Sequence, residues 1–142
     1  METKTNWLAI IVCAIAGMAL GYLWFGILFR DIWMAGNGIT MTGDTVMKNG
    51  TEIPHSMLPM IVNAFSLLVY GYLMNWLVNK TASFNLQSGA TLGGVIGLFS
   101  LFGIYTGNRF AGNPTSLSMV NGFYTLLLFI IIGAIVGAWR SK

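Results

Sequence analysis

Charge is what this chain has least of. Lys, Arg, Asp and Glu make up 8% of its 142 residues, and four stretches, 7–29, 58–78, 87–106 and 119–139, hold no charged side chain at all. A soluble fold needs more polar surface than that, whereas a wall against lipid requires the shortage. The mean hydropathy of +0.73 agrees. Cysteine and histidine occur once each, as Cys13 and His55. A single cysteine excludes an intramolecular disulfide and leaves the redox compartment unread. Ion-coupled transporters and proton pumps ordinarily keep an ionisable residue at membrane depth, and none of the four stretches has one. The ligand set of a zinc hydrolase and the carboxylate pair or serine–base arrangement of an intramembrane protease are missing too. The sequence therefore argues against an enzyme and implies no metal or cofactor. Seven basic residues give a net charge of +3 but form no cluster, so nucleic acid is not an expected partner.

What is present is length. A hydrocarbon core of about 30 Å needs roughly 20 apolar residues at about 1.5 Å rise each, and every stretch reaches that. The expected fold is an all-α membrane protein with four transmembrane helices in an antiparallel bundle, forming a single domain over 1–142. The first stretch exceeds the roughly 7–15 apolar residues of a signal peptide and is read as a retained helix. Four spans place both termini and the 79–86 loop on one side, and the 30–57 and 107–118 loops on the other. Lys4, Lys80, Arg140 and Lys142 then face Arg30, Lys48 and Arg109. The positive-inside rule favours cytoplasmic termini by one residue, in an inner or plasma membrane. Tryptophan supports the span count: Trp7, Trp76 and Trp139 fall at the terminal boundary and Trp24 and Trp33 near the opposite one, as interfacial indoles should.

Helices associate in lipid through small residues spaced four apart, which let backbones approach. Cys13, Gly17 and Gly21 form one such ridge, Gly89, Gly93 and Gly97 a second, and Gly133 with Gly137 a third. They serve either packing within one chain or contact with another. Asn63, Ser66 and Tyr70 share a helical face expected to point inward, and Asn121, Tyr124 and Thr125 form a similar group early in the fourth span. Interhelical hydrogen bonds would account for both, as would a small polar pocket opening toward Arg30 and Arg109. A lone His55 beside Pro54 reads as a solvated loop residue.

The long 30–57 connection opens with Arg30, Asp31 and Trp33, expected to form an interfacial helical turn, and then turns rich in Gly, Thr and Asn. Residues 45–48 and 51–54 flank Asn49-Gly50, a pair favoured in two-residue type I′ turns. A β-hairpin and a mobile loop are both open readings. A connection this long is more often functional than neutral, which makes it the best candidate for a binding surface.

The NWLA of 6–9, the GYLWFGILF of 21–29 with Trp33 after it, and the pattern from Asn108-Arg109-Phe110 through Asn121-Gly122-Phe123-Tyr124 to Gly133, Gly137 and Trp139 carry a resemblance. The chain resembles the small bacterial four-span proteins grouped as domain of unknown function "seventeen sixty-one". The resemblance covers both ends and not the middle, 36–59. It implies the four-helix topology and an aromatic-glycine signature closing the first span, and it implies no catalytic residues.

Three functions are compatible with these readings. The favoured one is a non-catalytic membrane component, whether subunit, assembly factor or homo-oligomer, that contacts other membrane protein subunits. A second is a small oligomeric channel or carrier for a neutral or weakly charged solute, lined by Asn63, Tyr70 and Asn121. A third is an interfacial enzyme or protein binding membrane lipid around Arg30, Asp31, His55 and Arg109. The topology common to all three is testable: in a Cys13→Ser background, single cysteines at Ser141 and Asn49 should label from opposite sides of the membrane. Labelling from one side would remove the four-span arrangement.

Overall fold

The computed structural model describes residues 5–139. Lys4, Arg140 and Lys142 of the charge count, and position 141, lie outside the described residues. Four helices are long and apolar enough to cross a membrane. The first comprises α1 (Trp7–Gly21) and a π-helical continuation, Tyr22–Leu28. A short α2 (Arg30–Gly36), three strands, β1 (Ile39–Thr42), β2 (Thr45–Lys48) and β3 (Thr51–Ile53), and then α3 (Leu58–Thr81), α4 (Leu86–Phe110) and α5 (Thr115–Ala138) follow.

Local chemistry explains the boundaries. Asn6 caps α1, its Oδ1 accepting the Ala9 N–H at 3.1 Å. Pro59 sits in the first turn of α3, where its missing N–H costs nothing, and α3 stops at Ala82 in a left-handed conformation with φ 53°. Asn85 and Ser88 close a reciprocal capping box at the start of α4. The helices run past the expected spans, α4 by a turn to Phe110 and α5 by a turn back to Thr115. Hydropathy marks the bilayer, whereas the backbone keeps its hydrogen bonds into the interface.

The α4 glycine ridge packs on the α5 glycine pair, and the two helices run antiparallel. A Cβ added at Gly89 would overlap the Gly133 carbonyl oxygen and lie 2.9 Å from the Gly137 Cα; one at Gly93 would overlap the Phe129 carbonyl. Further along, Gly97 meets the Leu126 backbone and Gly122 meets Leu101. The ridge of α1 faces elsewhere: Cys13 is buried with Sγ 3.8 Å from the Ile132 carbonyl, Gly17 abuts Leu67 and Leu128, and Gly21 lies under the Tyr124 hydroxyl. Cys13, Leu67, Met74, Val78, Leu128, Ile132 and Val136 form the core between α1, α3 and α5. α4 leans on α5 and barely on α3. The outer walls are apolar, with Phe65 67% and Phe99 77% exposed, as lipid contact demands.

Residues 39–53 form an antiparallel sheet in the order β1-β2-β3. The β2–β3 hairpin turns on Asn49 and Gly50, both with positive φ (49° and 82°), the type I′ requirement. β1 adds a strand to that expected hairpin. It joins β2 through Gly43-Asp44, with Gly43 at φ 63°. In this register Ile39, Met41, Val46, Lys48, Thr51 and Ile53 share one face, and Thr40, Thr42, Thr45, Met47 and Glu52 the other. A two-stranded hairpin is marginal in water, and the third strand together with α2 supplies support.

Close backbone contact makes the α4–α5 seam the most sensitive place for added volume. Gly93→Leu should lower stability by at least about 1–3 kcal/mol, seen as a reduced melting temperature in detergent. Gly103, with nothing within 4 Å of an added Cβ, should accept Leu without change.

Candidate functional site

The aromatic residues of 21–33 and the run at 121–124, which carry part of the family resemblance, come together at the end of the helices nearest the sheet. Backbone geometry starts the arrangement. In the π segment the Phe29 N–H reaches the Trp24 carbonyl, five residues back, at 2.8 Å. Such widened turns are rare and are frequent at functional sites. The indole of Trp24 donates to the Val120 carbonyl at 3.0 Å, pinning the segment to α5. Around it Trp24 packs on Phe29 at 4.6 Å between ring centroids, and Phe25 packs on Tyr124 at 4.6 Å and on Trp33 of α2 at 5.7 Å. α2 is seated by Gly36 against Leu117, where an added Cβ would stand 2.8 Å from the leucine Cβ.

Beside this cluster lies a groove of about 450 Å³. Phe25 forms one wall, Ile104, Gly107 and Asn108 of α4 the other, and Asn121, Tyr124 and Thr125 of α5 the floor. Thr125 Oγ1 donates to the Asn121 carbonyl at 2.9 Å, and Asn108 Oδ1 accepts from Asn113 Nδ2 at 2.8 Å. The Asn121 carboxamide makes no hydrogen bond among the described residues, and the Tyr124 hydroxyl, also without one, lies beside Gly21 with Tyr70 as its electrostatic neighbour. Asn121, Tyr124 and Thr125 are thus brought together as a polar floor, with Asn108 added.

The second polar group is placed differently. Asn63 Nδ2 lies 3.2 Å from Met18 Sδ, Ser66 Oγ donates to the Val62 carbonyl of its own helix at 2.8 Å, and Tyr70 packs on Phe129 at 5.2 Å. This face sits at the flank of α3 rather than at its centre, and Tyr70 is 37% exposed. The buried stripe of α3 is Leu67, Gly71, Met74, Asn75 and Val78. Its polar member, Asn75, was not expected, although its spacing of four from Gly71 places it there. Ser118 was likewise missed; its buried hydroxyl has no partner among the described residues. Ser118 shares a face of α5 with Asn121, Gly122 and Thr125 at spacings of three, four and seven.

The interfacial candidates Arg30, Asp31, His55 and Arg109 are all exposed. Arg30 reaches Met41 Sδ at 3.1 Å, while Arg109 donates to the Asn113 carbonyl and lies over the Tyr105 ring at 5.6 Å. Asp31 sits in the first turn of α2, a favourable place for a negative charge. His55 lies between β3 and α3. Among the described residues, no group of three His, Cys, Asp or Glu could hold a metal ion.

At the opposite end, Asn6 Nδ2 donates to the Trp139 carbonyl at 2.7 Å, so the first and last signature residues touch. A family model described as protein of unknown function (DUF1761) matches residues 8–137. The chain belongs to that family. No curated protein and no solved structure matches it. In this DUF1761 protein the matched segment takes in the π segment, the glycine seam and the groove, together with the sheet between them.

The Trp24 bond to Val120 has a direct test. Trp24→Phe keeps the ring stacking and removes the donor, and should cost about 1 kcal/mol in detergent unfolding, less than Gly93→Leu. Equal stability would mean that the indole does not hold the segment.

Proposed function

We propose that this protein is a non-catalytic, multi-pass component of a bacterial inner membrane whose working part is the folded unit of α2 and the sheet. The four spanning helices form an antiparallel bundle with cytoplasmic termini, and the bundle acts as the mount. The observation that carries this reading is the division of apolar surface. The glycine ridges of α4 and α5 are consumed inside the chain, whereas the sheet keeps an open face on which Met41 is 47% and Ile53 39% exposed beside Lys48 and Thr51. With the half-buried Ile39 and Val46 between them they make one continuous apolar strip, edged by the positive charge of Lys48, and a strip of that kind suits contact with a partner. Its occupant in this reading is another membrane protein subunit, or a second copy of the chain. The edge strands β1 and β3 offer backbone groups to the same partner.

A solute pathway lined by Asn63, Tyr70 and Asn121 has less support, because Asn63 is engaged by Met18 and the ring of Tyr70 by Phe129, while only Asn121 lines the groove. Chemistry at the interface has less support as well, since Arg30 and Arg109 are engaged separately.

Backbone hydrogen bonds of the spanning helices are satisfied locally, so the helices should tolerate loss of the sheet. Replacing residues 38–52 with a short Gly/Ser linker should leave membrane insertion and melting temperature nearly unchanged and abolish crosslinked and co-purified neighbours. If every neighbour were retained, the sheet would be a tether and this reading would fail.

A further inference from the structure

The groove between the π segment and α4 has the form of a site for a single lipid. We infer that it binds one diacylglycerolipid from the leaflet on the sheet side, taken in sideways between α1 and α4. The ester and glycerol oxygens would lie on the α5 floor and an acyl chain against Phe25 and Ile104. Four observations carry the inference, and none depends on what the sheet does.

The first is hydrogen-bonding inventory. Asn121 offers two amide N–H groups and Tyr124 one phenolic O–H; neither makes a side-chain hydrogen bond among the described residues, although the Tyr124 hydroxyl lies beside Gly21 with Tyr70 as its electrostatic neighbour. At the edge of the hydrocarbon an unpaired donor favours a ligand rich in acceptors, and ester carbonyls are acceptors without donors of their own. The neighbouring Thr125 hydroxyl is already satisfied, which leaves recognition to those two side chains.

The second is depth. Asn121 stands six residues after the first residue of α5, about 9 Å along the helix axis at 1.5 Å per residue. This is the zone where the polar interface of a bilayer gives way to hydrocarbon, and Trp24 and Trp33 gather at the same end. The third is access. α1 and α4 both pack on α5 but make no extensive contact with each other, so the groove opens to the side. The fourth is size. At about 450 Å³ it takes the glycerol and ester region with the first part of one acyl chain, and the rest of the lipid would lie along the outer helix walls. Its wall spans only Ile104 to Asn108, little more than one turn, too short to seat a partner helix of spanning length.

The test uses the full chain in a mild non-ionic detergent, titrated with dioleoylglycerol and separately with dioleoylphosphatidylglycerol and followed by native mass spectrometry. One lipid should bind per chain, and the two lipids should bind within about threefold of each other because the ester region is what is recognised. Asn121→Leu and Tyr124→Phe should each weaken binding by roughly three- to tenfold, the range of one hydrogen bond. Tyr124→Phe retains the ring contacts with Phe25 and Trp24, so its melting temperature should stay near that of the parent and its binding remain interpretable. Ile104→Trp, which fills the groove, should abolish binding, and Ser66→Ala on α3 should leave it intact. Unchanged affinity in Asn121→Leu, Tyr124→Phe and Ile104→Trp would overturn the site. Binding of the phosphatidyl lipid alone would overturn recognition through the ester oxygens.

Discussion

Everything else in this structure hangs on the contact of two backbones, α4 against α5. In lipid an apolar side chain gains nothing by leaving one apolar neighbour for another, so helices must be held by dispersion and by close approach. The glycines at 89, 93 and 97 remove the side chains that would keep the axes apart, and Gly133 and Gly137 do the same on the facing helix. α4 has little other attachment. Without that seam the α4 wall of the groove would have no fixed position, and the groove would have no defined width.

The seam also accounts for the groove's existence. α5 is shared: its Leu128, Ile132 and Val136 enter the core with α1 and α3, while its glycine edge receives α4. A helix drawn tightly to α5 cannot also lie against α1, because α1 occupies a different side. The space left between them at the sheet end is edged by the π segment, where Trp24 is tied to Val120 and Phe25 packs on Tyr124. The family resemblance reads as one assembly in these terms, since its aromatic residues from 21–29 and its Asn-Gly-Phe-Tyr run at 121–124 meet across α1 and α5.

Composition made the membrane class and the four helices legible, because a charge-free run of this length has few other uses. The Asn49-Gly50 turn was legible for a local reason, two consecutive positions that need positive φ. β1 escaped notice although Ile39 and Met41 alternate with two threonines before Gly43; four residues are too short a pattern to stand against a loop reading. The inward faces were harder. A soluble helix advertises its buried side by apolar periodicity, but in lipid both sides are apolar and that signal vanishes. Polarity alone points to Asn63, Ser66 and Tyr70, whereas small residues such as Gly71 mark the inner stripe that holds Asn75. Glycine spacing showed where ridges lie but not which one meets which. The π segment could not be read at all, since hydropathy carries no record of whether a carbonyl bonds four or five residues ahead.

The polar residues on the floor of the groove show why the sheet and the helices need not share a purpose. Asn121 and Tyr124 lie inside α5, held by α1 and α4, and the sheet touches neither helix beyond the docking of α2 through Gly36 on Leu117. Removing residues 38–52 leaves Trp33, Gly36 and the whole groove in place. A surface for protein contact and a site for lipid can therefore coexist on one small chain without competing for residues. A ligand that bound between α1 and α4 would still be felt by the sheet, because Phe25 carries Trp33 and Trp33 belongs to α2. That short path, from the groove wall through one aromatic pair to the base of the sheet, runs beside the seat of Gly36 on Leu117, and through these contacts occupancy of the one could bias the other.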